Sequence, residues 1–118
     1  MDGISFFDED GSDKVIFNYA TWLEVVKAVI VKYAGRTYQD ATNLVFNSPI
    51  TNICPTDFMG VFLLSHEIEY HWAMLIAHGE GYWKKGVSSE IPDGYFEWDR
   101  SYRAEHGLAK ESFVWLGS

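Results

Sequence analysis

DFMGVFLLSHEIEYHWAMLIAH, residues Asp57 to His78, is the stretch on which the fold turns. It holds no proline and one glycine, Gly60, and its apolar residues cover nearly every side of a helical projection. A helix that is apolar all round is a buried one. Thr56 or Asp57 supplies a cap at its start and Gly79 a stop at its end. The stretch therefore reads as one long buried helix over about 57–78, with the rest of the chain packed around it.

Turning about 100° per residue from Glu67 places His71 and His78 in the same sector, with Leu63, Leu64 and Met74. Gly60 falls there too and would admit another backbone. Ser65 and Glu69 mark the only strip that suggests solvent. A carboxylate and two imidazoles on a buried face need partners, because burying unpaired polar groups is costly. Glu67 and His71 are four residues apart and so are neighbours on a helix. A carboxylate that fixes an imidazole's tautomer makes a candidate catalytic acid–base pair. The plainer reading is a buried pair whose members satisfy each other.

His66-Glu67-Ile68-Glu69-Tyr70-His71 offers several metal-ligand types, yet it is not the HExxH zinc pattern. His66 and His71 are five apart and point to different sides. His78 lies two turns beyond His71, roughly 10 Å along the axis. A metal on Glu67 and His71 would need ligands from elsewhere, such as His106 or Asp99, so no metal and no cofactor is expected.

Outward from this stretch, Thr21-Trp22-Leu23-Glu24 has the form of a capping box. It would open a helix carrying Trp22, Val25, Val26, Val29, Ile30 and Tyr33 at helical spacing and closing at Gly35. Thr37 caps a shorter helix with Ala41, Leu44 and Val45, stopped by Asn47-Ser48-Pro49. Ile50–Thr56 reads as a loop. Lys14–Tyr19 and Phe113–Leu116 are rich in β-branched and aromatic residues, and a short two-stranded sheet from 14–19 and 113–116 is the α+β alternative to an all-helical fold. Residues 1–13 are acidic and read as a loosely ordered segment. Asp8–Asp13 is not an EF-hand loop, because the sixth and twelfth positions from Asp8 are Asp13 and Tyr19 rather than glycine and glutamate.

Residues 79–86 hold three glycines in eight, together with Tyr82, Trp83 and the adjacent cations Lys84 and Lys85. Asp93 is placed to cap a last helix, 94–106, with Tyr95, Trp98 and Tyr102 in a stripe. With acidic neighbours, Tyr82, Trp83, Tyr95, Phe96, Trp98 and Tyr102 form a pocket for an organic cation, an interaction patch, or the ordinary packing of the last helix on the core.

The composition sets the remaining bounds. One domain of 118 residues with 47% hydrophobic and 22% charged residues is a folded globular chain. A formal charge of −8 repels phosphate backbones, so nucleic acid is excluded as a direct partner and a basic protein or cationic small molecule is favoured. Cys54 is the only cysteine, which suits a reducing compartment. The acidic N-terminus lacks the basic region of a signal peptide, and no apolar run is long enough to span a bilayer, so a cytoplasmic protein is expected.

No motif fixes a function. The leading expectation is a mainly helical, non-enzymatic binding or interaction protein, with a homodimer as one form of assembly. The alternative is a small-molecule-binding domain or a small acid–base enzyme with a pocket around Glu67 and His71. Glu67, His71, His78, Tyr82, Trp83, Trp98 and Tyr102 are its candidate ligand-binding residues.

Overall fold

The helix at the centre is α1 (Tyr19–Tyr33), whose Trp22, Val25, Val26, Val29 and Ile30 are all 0% exposed. Each such side chain contributes roughly 1.5–3 kcal/mol by leaving water. In the computed structural model, which describes residues 1–51 and 54–117, α1 packs against α2 (Tyr38–Asn47) and α4 (Glu69–His78). The chain also forms β1 (Ile4–Phe7), β2 (Asp13–Phe17), α3 (Phe58–Leu64), a 3-10 turn at Tyr82–Lys85, α5 (Tyr95–Glu105) and β3 (Phe113–Gly117). Mainly helical with a small sheet is the class that the sequence implied.

The expected two-stranded sheet has a third member. The strand order is β1-β2-β3, antiparallel throughout, with Phe6 opposite Val15 and Val15 opposite Trp115. The face carrying Phe6, Val15, Phe17 and Phe113 looks into the core, where Phe17 and Phe113 stack at 4.9 Å. The segment expected to be loosely ordered thus supplies a strand, and its first residues cap α1. The Asp2 carboxylate accepts hydrogen bonds from the Thr21 backbone N–H (2.9 Å) and hydroxyl (2.7 Å), and the Met1 carbonyl accepts from the Ala20 N–H (3.2 Å). Thr21 is therefore not the cap that the sequence suggested. It is buried inside the first turn, and a carboxylate from outside the helix takes the cap's place at the positive end of the helix dipole. The expectation for α2 holds: Thr37 Oγ1 accepts from the Asp40 N–H at 3.1 Å.

The single long helix over 57–78 is corrected: the chain breaks into α3 and α4, with Ser65–Ile68 between them. Neither glycine nor proline marks the break. Side chains satisfy the carbonyls at the end of α3 instead. The Phe62 carbonyl accepts from Ser65 Oγ (2.7 Å) and from His66 Nδ1 (2.8 Å), and the Leu64 carbonyl accepts from the Trp72 indole N–H (2.8 Å). Serine competes with the helix ladder in this way wherever its hydroxyl bonds back to the preceding turn. Ile68 then takes an extended conformation, φ −75° and ψ 163°, and α4 starts afresh at Glu69.

α5 docks through its rings. Tyr95 meets Tyr33 (5.9 Å) and Tyr70 (5.8 Å), and Trp98 meets Tyr33 edge-on (5.8 Å). Gly94 at its start has φ +77°, a left-handed conformation natural to glycine, so Asp93 does not serve as the cap.

Candidate functional site

The break after Leu64 takes Glu67 out of the helix, so it no longer shares a helical sector with His71 and His78, which lie seven residues apart on α4. Glu67 lies between the helices and is exposed, while His71 and His78 are half-buried on α4. The premise that these groups sit in a dry core is overturned. Glu69, placed by the sequence on the wet strip, is the carboxylate that turns inward.

Glu67 and His71 do meet. Glu67 Oε2 is 2.6 Å from His71 Nδ1, and the other ring nitrogen, Nε2, is 3.0 Å from the Ser89 carbonyl. A carbonyl can only accept, so Nε2 donates to it. Nδ1 faces the Glu67 carboxylate. Neither nitrogen is left for a substrate in this arrangement. The Tyr70 hydroxyl donates to the adjoining Ser88 carbonyl at 3.0 Å, so the two side chains together strap the 88–89 loop to α4.

Beside the pair lies an open groove of about 960 Å³ lined by Glu67, His71, Trp72, Leu75, Tyr82 and Trp83, with Glu80, Lys84 and Lys85 at its charged margin. It gathers Glu67, His71, Tyr82 and Trp83, four of the candidate residues. The others lie outside its lining. His78 closes α4, where its carbonyl accepts from Lys85 Nζ at 3.3 Å. Trp98 and Tyr102 face each other on α5 at 5.4 Å. The Lys32 ammonium already lies 5.8 Å from the Trp98 ring centre, and His106 stacks on Tyr102 at 4.1 Å. The six aromatics do not form one cage.

No three metal-ligating side chains come together among the described residues. Asp99, considered as a further ligand, is taken by Arg103, and His106 is exposed with its ring stacked on Tyr102. Cys54 is half-buried and burial pushes its thiol up, which lowers the thiolate fraction that a nucleophile needs.

The strongest polar constellation is one the sequence reading missed. Arg103, 4% exposed, donates through Nε to both Asp99 oxygens (3.0 and 3.1 Å), through Nη1 to the Ala109 carbonyl (3.2 Å), and through Nη2 to Glu69 Oε1 (3.3 Å) and Ser112 Oγ (3.2 Å). Ser112 Oγ donates to the same Glu69 oxygen at 2.6 Å. This network joins the start of α4, the body of α5 and the approach to β3. Its signal was the i,i+4 spacing of Asp99 and Arg103 on the Tyr95 side of α5. Tyr95 lies beside it with its hydroxyl buried and without a hydrogen-bond partner among the described residues. Burial, then the Glu69 and Asp99 carboxylates, holds its phenol far above the ordinary tyrosine range.

A second feature lies on the outside. Met59 (59% exposed), Phe62 (40%) and Leu63 (59%) of α3 and Trp115 (44%) and Leu116 (47%) of β3 are open to solvent. Phe58 and Phe62 meet the Trp115 ring at 5.8 and 6.1 Å, which joins helix and strand into one apolar surface on the inner face of β3, while Leu116 lies on the opposite face. Asp13 pairs with Gly117, so the turn carrying Asp8, Glu9, Asp10 and Asp13 stands at the end of β3, next to this surface. Hydrogen bonding to Ser12 holds the exposed Asp10 carboxyl at about 2, so Asp10 is charged at any ordinary pH.

No family model, no curated protein and no solved structure matches the chain. The functional reading therefore rests on geometry alone.

Proposed function

We propose that this chain is a non-enzymatic binding protein that holds a basic protein partner in the cytoplasm. One observation carries the reading: the exposed apolar surface shared by α3 and β3 lies beside the acidic β1–β2 turn. Large apolar side chains clustered in the open and rimmed by charge mark interaction sites in soluble proteins. A net charge of −8 steers a cationic partner toward that rim. No helix of the described residues is long and apolar enough to cross a membrane, and a lone half-buried cysteine suits a reducing compartment.

The experiment is affinity capture from host extract at low and high salt, with the native chain and with Leu63→Asp and Glu9→Lys. Both positions are exposed, so both variants should fold. The captured protein should be basic, should be released by salt, and should be lost with either variant. A neutral or acidic partner whose capture ignores both changes would defeat the reading.

The second reading, a small-molecule site, rests on the groove that brings Glu67, His71, Tyr82 and Trp83 together. A thermal-shift screen of metabolites and organic cations tests it, since a ligand that binds only the folded state raises the melting temperature. A hit abolished by Trp83→Ala would support a groove ligand. As an acid–base enzyme the site is less well equipped, because both His71 nitrogens are occupied by protein acceptors.

A further inference from the structure

β3 is the edge of the sheet, and the hydrogen-bond register shows which of its groups are unused. Asn18 N–H donates to the Ser112 carbonyl at 2.8 Å, which continues the pairing in which Ile16 faces Val114 and Lys14 faces Leu116. Antiparallel ladders alternate, so Ser112, Val114 and Leu116 turn their backbone groups toward β2. The β1–β2 pair gives the same parity from the other side. Asp8 N–H donates to the Asp13 carbonyl, so the odd residues Val15 and Phe17 bond to β1 and the even ones are left for β3. Phe113 and Trp115 therefore present their N–H and C=O groups outward. Among the described residues, nothing else hydrogen-bonds to them.

Natural sheets protect such an edge with charge, proline, a bulge or a covering element. Phe113-Val114-Trp115-Leu116-Gly117 has no charge and no proline, and its pairing with β2 runs without a bulge. Both faces beside the edge carry apolar side chains, with Lys14 opposite Leu116 on the outer one. Phe7, Ile16, Val114 and Leu116 share the outer face, while Trp115 with Phe58 and Phe62 offers an aromatic shelf on the inner one.

We infer that a basic partner binds by adding an extended strand to β3, taking its main-chain hydrogen bonds from Phe113 and Trp115 and setting a cationic side chain across Gly117 toward Asp13. This rests on the basic-partner reading and specifies how that partner docks. Strand addition gives affinity through the backbone and specificity through alternate side chains. The turn selects the occupant. Its nearest acid, Asp13, lies one strand in from the open edge, across Gly117 from an added strand, which favours a lysine or arginine at that position.

The test is amide hydrogen exchange read by NMR, with a short peptide alternating lysine and valine as the probe and a glutamate–valine peptide as the charge control. In the free protein, Val114 and Leu116 amides should exchange slowly and Phe113 and Trp115 amides fast. Saturation with the lysine peptide should slow Phe113 and Trp115 by at least about tenfold, and the glutamate peptide should have no effect. Trp115→Pro, whose lost N–H faces outward, should remain folded and lose the protection. Peptide-induced shifts confined to α3, with both edge amides still fast, would overturn strand addition and leave the basic-partner reading standing. No shift anywhere would sink both. Protection that appears without peptide as protein concentration rises would give the edge to a second copy and overturn the basic occupant.

Discussion

Glu67 and Glu69 are two residues apart, and their situations are opposite. Glu67 is exposed and holds one half-buried histidine. Glu69 is 13% exposed in its side chain and completes a buried network with Arg103, Ser112 and Asp99. On a continuous helix, Glu67 would have taken the inner sector. Four residues of non-helical chain, Ser65–Ile68, reverse that assignment. The difference shows that a helical wheel is informative only as far as the helix runs, and that a short interruption exchanges a structural carboxylate for a surface one.

The largest expected effect is at the buried member. Arg103→Ala leaves two carboxylates with little solvent and no cation, and should cost about 3–5 kcal/mol of unfolding free energy, read by urea denaturation. A loss below about 1 kcal/mol, the value for exposed pairs, would erase the distinction between the two regions.

Asp2→Ala sharpens the comparison, because Asp2 is exposed as a residue yet caps α1. Removing that carboxylate should cost about 1 kcal/mol, the usual value of a helix cap. No change would mean that exposure alone decides which acids matter.

Tyr95→Phe tests the dry side of the network. The variant deletes a buried hydroxyl that has no partner, so stability at neutral pH should hold or rise by up to about 1 kcal/mol. All seven tyrosines are held above their ordinary value by burial. A raised folded-state value means that the unfolded chain loses its protons first, near pH 10. Their contribution is therefore complete below pH 10 and is lost as pH climbs from there through the folded-state values. Phenolate absorbance should rise together with unfolding, and the loss above pH 10 should be shallower in Tyr95→Phe than in the native chain.

The smallest effect is expected at His71→Ala. An exposed i,i+4 ion pair contributes less than about 1 kcal/mol, and the loss of the Ser89 tether should appear as faster amide exchange confined to the 88–90 loop. Global destabilisation would place His71 in the core after all.

Much of this was legible in the chain. The α1 stripe, the Thr37 cap, β2, β3 and the aromatic face of α5 all follow from spacing and from one-residue signals. Three features were not. The break at Ser65–Ile68 is made by side chains returning to Phe62 and Leu64, contacts that no local propensity announces. β1 is four residues long and set in an acidic segment, so its pairing with β2 outweighs a weak local signal. The Arg103 network draws on α4, α5 and the approach to β3, and only tertiary packing assembles it. Of the candidate site, the Glu67–His71 contact and its neighbours Tyr82 and Trp83 were readable. The separation of Trp98, Tyr102 and His78 from that groove was not, because it depends on how α5 docks against Tyr33 and Tyr70.

Equilibrium urea unfolding of Glu69→Gln and Glu67→Gln, measured side by side, tests the reversal most directly. Glu69→Gln removes the charge that Arg103 and Ser112 share and should lower stability by about 2 kcal/mol, while Glu67→Gln should lower it by less than about 1 kcal/mol. Equal losses, or the larger loss at Glu67, would contradict the broken helix and return Glu67 to the core.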